Sequence, residues 1–203
     1  MPRTVVILDE TPDSQRLGVA MLGAIGELVD SVQFVAVAEL PAVADPKTIY
    51  CPLTLDVPPT FEFWGRAIGR SCQEIERLRD LVATTTDVKV GDGGNLWLPV
   101  IWTAQDPIYG EVIGGIEEDR DRQPIQRFGE RLLTELSAPP ATYLVQFDRD
   151  RAGMIFDRLF PFPAVPAIGS IGQQLDLFAC HWRCITHQSI VLGDANMRSI
   201  ADE

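Results

Sequence analysis

"LFACHWRCIT", residues 177–186, decides how the carboxyl-terminal third is built. Read as a helix, Cys180, His181, Cys184 and then His187 fall at steps of one, three and three, on one face and within reach of a tetrahedral metal ion. Read as a strand, Phe178, Cys180, Trp182 and Cys184 point one way while His181, Arg183 and Ile185 point the other. Four residues along a strand span about 13 Å, so the two thiols cannot meet at one ion. The alternation of aromatic and cysteine with histidine and arginine, after a stretch broken by glycine and proline, predicts the half-buried strand. Cys180 and Cys184 are then core residues. No metal ligand and no cofactor is assigned.

The stretch upstream supports a β-rich end. "TYLVQFDRDRAGMIFDRLFPF" (142–162) has two alternating arms around the turn "DRAG". Pairing them symmetrically sets Phe147 opposite Phe156 and Gln146 opposite Asp157. On the strand reading His181 and Arg183 project toward this hairpin, near Asp148, Asp157 and Arg158. Imidazole, guanidinium and carboxylates together can bind an anionic ligand or move protons. The long connection 161–174 is then a lid for that site. Against this stands the plainer reading of a salt-bridged sheet face.

The amino-terminal half reads differently. "RTVVIL" (3–8) is a buried strand, and Thr11, Pro12 and Asp13 open a helix running to about Asp30. "SVQFVAVAEL" (31–40) follows as a second strand, giving a β-α-β unit. Asp9 and Glu10 stand at the end of the first strand, where open sheets bind ligands, or they cap the next helix. "TIYCPL" is a further strand. From Thr60 the apolar stripe Phe61, Trp64, Ile68, Cys72, Ile75, Leu78 and Val82 predicts one continuous helix. "GDGGN" (91–95) is a turn, residues 95–115 form a hairpin, and "IEEDRDRQP" (116–124) is a charged loop before a third helix at 124–136. The fold expected is α+β: a mixed sheet, about three helices and antiparallel hairpins in the carboxyl-terminal half. One domain spans 1–203, its last ten or so residues frayed.

Charge and composition exclude several functions. Asp and Glu number 29 against 17 Lys and Arg, a net charge of -12. This repels nucleic acid and anionic membranes alike. Only Lys47 and Lys89 are lysines, and neither sits in a phosphate-binding loop. No dinucleotide fingerprint and no nucleophile elbow is present. The absence of a leader-like start and the sparse cysteines point to a soluble cytoplasmic chain with reduced thiols. Nothing in the sequence fixes an oligomeric state.

The expected role is therefore a non-catalytic, regulatory module that binds a protein partner, with Phe160 and Phe162 as its contact residues. The alternative is a small-ligand-binding protein or enzyme with its site around His181 and Arg183, under the loop 161–174.

Overall fold

The computed structural model describes residues 3–25, 32–115, 119–151 and 153–190, apart from the side chains of 119–121. The expected end of the first helix at Asp30, the acids of 116–118 and the last ten residues lie outside these.

β1 (Arg3–Leu8) is the centre of a three-stranded parallel sheet, flanked by β2 (Val32–Ala36) and β3 (Thr48–Pro52). The strands register Thr4 with Val32 on one side and with Ile49 on the other. α1 (Pro12–Ile25) makes the crossover. Its start follows the sequence logic: the Ser14 N–H donates to Thr11 Oγ1 at 3.2 Å. Leu17, Met21 and Ile25 are buried at helical spacing. Gly18 lets the helix approach β1; a Cβ there would stand 2.8 Å from Leu8 Cδ1.

The second sheet has the order β4 (Lys89–Val90), β8 (Gly153–Phe160), β7 (Ala141–Asp150), β5 (Leu96–Trp102), β6 (Ile108–Tyr109). Only the β4–β8 pairing is parallel. The two expected hairpins are both formed, and Phe147 does face Phe156. Gln146, however, faces Arg158, because Asp157 is an extra residue in a bulge. Tyr143, Leu144 and Val145 are all fully buried, so β7 is covered on both faces. α4 (Asp119–Glu135) covers one: at Gly129 a Cβ would touch Leu98, Val100 and Val145. One hydrophobic core runs from Val6 and Cys51 of the first sheet into the second, and a smaller one with Val5, Ile7, Val35 and Phe61 lies on the other face of the first sheet.

The mixed α+β reading stands, but among the described residues five α-helices replace the expected three. The continuous helix at 60–82 is two helices, α2 (Arg66–Gln73) and α3 (Ile75–Thr85), broken at Glu74 with ψ 65°. Polar anchors drag this region out of line. Arg66 Nη2 donates to the Val57 carbonyl at 3.1 Å, and Gln73 Nε2 donates to the Leu55 carbonyl. Ile68, Cys72, Leu78 and Val82 keep their places in the core, while Trp64, before the first turn, swings out to 48% exposure. α4 begins earlier than expected and carries Pro124 within it.

The fifth helix overturns the strand reading of the carboxyl-terminal stretch. Residues Leu177–Ile185 form α5. Asp176 caps it, accepting hydrogen bonds from the N–H groups of Phe178 and Ala179 at 3.0 and 3.1 Å. Seven of its nine residues are buried. A helix buried nearly all round shows no polar face, so apparent alternation within it carries no information about period.

Candidate functional site

α5 runs beside β7 and β5. Pairing with β8 starts only at Leu144, and the Thr142 N–H donates instead to His181 Nδ1 at 3.2 Å. The neutral ring therefore carries its proton on Nε2. Burial pushes the His181 pKa down to about 4, with the Thr142 bond as the second influence. His181 is thus a buried, uncharged hydrogen-bond acceptor for the sheet. His187 leaves the helix altogether. At φ 57° it forms a left-handed cap, its N–H donating to the Cys184 carbonyl at 3.1 Å and that of Gln188 to the Arg183 carbonyl at 2.7 Å. Its ring lies edge-on to Trp64, 5.7 Å away.

Cys180 and Cys184 do share a helix face, but burial raises their thiols to about 11 and about 12. Among the described residues, no three His, Cys, Asp or Glu side chains converge to hold a metal ion.

The five polar residues expected to make a ligand site do not come together. Asp148 lies six residues along β7 from Thr142, about 20 Å from the strand end that His181 holds. Asp157 is 2% exposed and fully engaged. Its Oδ1 pairs with Arg79 Nη2 at 2.7 Å, and its Oδ2 accepts from the N–H groups of Gly93 and Gly94, both at 3.0 Å. This ties α3 and the 91–95 turn to the bulge in β8. Arg158 lies beside it at 3.4 Å, and Arg183 is half-buried on α5. Asp9 turns inward to the first helical turn. Burial raises its pKa, and hydrogen bonds from Thr11, Thr54 and Ser14 outweigh this to lower it.

The two hollows that matter involve residues the sequence did not flag. The first lies where the sheets meet: a cavity of about 40 Å³ walled by Tyr50 of β3, Trp64, Arg66 of α2, Tyr143 of β7 and His181. Of the loop 161–174, only Pro161 reaches it. The second is a groove of about 610 Å³ between the β5–β6 hairpin and residues 166–177. Pro99 and Tyr109 form one wall, and Gly169, Ser170, Gln173 and Gln174 the other. The loop is thus a wall of this groove rather than a lid over His181. Ser170 Oγ accepts from the Leu177 N–H at 3.0 Å, and Asp176 Oδ2 from that of Gly172 at 3.3 Å, which pins the wall to α5.

No protein-family model matches the chain, and no curated protein matches it in sequence. Solved structures do match its fold. Glycinamide-RNase-transformylase T from Mycobacterium tuberculosis aligns with TM-score 0.67 and 14% identity, over 94% of this chain and 81% of that one. N5-carboxyaminoimidazole synthase from Aspergillus clavatus, in complex with ADP and 5-aminoimidazole ribonucleotide, gives 0.69 and 11%, over 94% and 78%. D-alanine-D-alanine ligase from Aeromonas hydrophila gives 0.62 and 6%, over 93% and 98%.

The fold resembles the ATP-grasp domain.

That likeness corrects the expectation of a regulatory protein-binding module: the three solved structures that share the fold are a transformylase, a synthase and a ligase. The contact residues fail on their own terms too. Phe162 is buried and Phe160 packs against it at 6.0 Å, so they form core rather than an exposed patch. At these identities the likeness shows the fold alone. The groove has one charged side chain in its lining, Glu111, and the described residues hold no metal-binding cluster. They do not match a metal-bound nucleotide phosphate chain there. Among the described residues, no helix is long and apolar enough to cross a membrane.

Proposed function

We propose that this chain is a small-ligand-binding protein or enzyme built on the ATP-grasp-like fold, with its ligand in the groove beneath residues 166–177. The groove carries this reading: at about 610 Å³ it falls within the range that encloses small organic ligands. Its walls combine Pro99, Tyr109, Ile113 and Leu175 with the amides of Gln173 and Gln174. Apolar surface with neutral hydrogen-bonding groups suits a flat heterocycle, and Glu111 is placed to accept from hydroxyls. The lining favours a nucleoside-like body over a polyanion.

Thermal unfolding against adenosine, AMP, ADP and ATP, with and without magnesium, tests the reading. A concentration-dependent shift with adenosine or AMP is expected, lost in Gly169→Tyr. A Cβ at Gly169 meets nothing within 4 Å, so the new ring fills the groove without straining the fold. No shift with any of these, or a shift that survives Gly169→Tyr, removes the groove as the site. ADP formation from ATP extends the reading from binding to catalysis.

A further inference from the structure

Arg66 is a buried cation that no anion within the described residues accompanies. It is 3% exposed. Its terminal nitrogens reach only neutral acceptors: the Val57 carbonyl at 3.1 Å, and Gln73 Oε1 at 3.3 Å from Nη1 and 3.2 Å from Nη2. Its Nε is buried without any hydrogen-bond partner. Charged side chains in this position are ordinarily paired, because desolvating an isolated charge is costly.

The surroundings point the same way. Arg66 is the first residue of α2, whose N-cap, Gly65, has φ 87° and no side chain to cap the turn. Gly65, Arg66, Ile68 and Gly69 of this turn line the cavity; the Arg66 N–H donates to the Phe63 carbonyl at 3.1 Å, which leaves the N–H groups that follow it as the donors of the turn. A Cβ at Gly65 would meet nothing within 4 Å, so the approach is open. His181, on the opposite wall, spends Nδ1 on the Thr142 N–H and keeps its proton on Nε2, another donor. Among the described residues, no Asp or Glu lines the cavity.

We propose that the cavity between the two sheets binds a small oxyanion, of carboxylate or phosphate type, held by Arg66 and the amino-terminal turn of α2. At about 40 Å³ it admits the charged head group and little else. Any larger body extends past Trp64 at the mouth. Because β3, α2, β7 and α5 all line the site, occupancy joins the parallel sheet to the antiparallel one. The site is separate from the groove and does not depend on it.

Thermal unfolding of the full chain in sodium acetate and in sodium phosphate, each at constant ionic strength made up with sodium chloride, is the test. Either anion should raise Tm with the logarithm of its concentration above Kd, by roughly 5–10 °C at a hundredfold excess. The one whose rise sets in at lower concentration identifies the head group. Arg66→Met should abolish the response; because it also removes the bond to the Val57 carbonyl, its response is read against its own anion-free Tm. Gln73→Ala frees the guanidinium donors but also removes the Gln73 Nε2 bonds to the Leu55 and Val57 carbonyls, so it too is read against its own anion-free Tm, where the rise should set in at about fivefold lower concentration. Gly169→Tyr should leave the anion response intact, which separates this site from the groove. A parent response no larger than that to chloride overturns the proposal, as does a response that survives Arg66→Met. If Arg66→Met does not fold, the parent titration and Gln73→Ala decide, and an unchanged onset concentration in Gln73→Ala counts against the site.

Discussion

Replacing Asp157 with alanine removes the carboxylate on which three segments converge. Arg79 would lose its 2.7 Å partner, and the N–H groups of Gly93 and Gly94 would lose their shared acceptor. Removing one member of a buried ion pair costs about 3–5 kcal/mol, because the other charge stays behind. Each orphaned N–H adds about 1 kcal/mol if water cannot reach it. Against this, Arg79 keeps Asp92 at 2.6 Å and Glu76 at 3.2 Å, both largely exposed, which soften the loss. The balance is about 4 kcal/mol, a large share of the roughly 5–15 kcal/mol that holds a domain together. With a urea m-value of about 2 kcal/mol per M, the unfolding midpoint should fall by about 2 M at unchanged slope. Asp157→Asn keeps an acceptor and should lose roughly half as much. Equilibrium urea unfolding followed by tryptophan fluorescence measures both. An Asp157→Ala midpoint within about 0.5 M of the parent would refute the keystone role of this carboxylate.

Three further outcomes follow from buried groups. The His181 pKa lies at about 4 against 6.5 for the free side chain, so the unfolded chain takes up the proton first. The stability present above pH 6.5 should drain away as pH falls toward 4, by about 3 kcal/mol in all; His181→Gln should lack that part of the slope in urea unfolding at stepped pH. Burial raises the Cys51 thiol to about 12 and pushes the Cys72, Cys180 and Cys184 thiols up as well, so a thiol reagent at pH 8 should label the native protein only as fast as it opens. Prompt labelling of any cysteine would contradict its burial. Phe162→Ala should cost about 3–5 kcal/mol, as for a core aromatic, where a contact residue on the surface would cost little.

The sequence by itself determined the elements whose cues are local. β1, α1 and β2 were legible because a β-branched run, a Thr-Pro-Asp start and a second apolar run need no distant partner to be recognised. The 142–162 hairpin was legible from alternation around its turn, down to Phe147 opposite Phe156. Tertiary structure decided the rest, because there local patterns were degenerate. The stripe from Phe61 to Val82 is helical in period throughout, yet Arg66 and Gln73 reach back to the 55–57 segment and break the rod in two. Around Cys180 the pattern satisfied a strand and a buried helix equally, and the Asp176 cap with the packing of α5 against β7 settled it. The same holds for the site: Arg66 looks like any surface arginine in the sequence. Only the fold, by burying it with no carboxylate partner among the described residues, turns it into a group that calls for an anion, because the cost of an unpaired charge depends on the water removed around it.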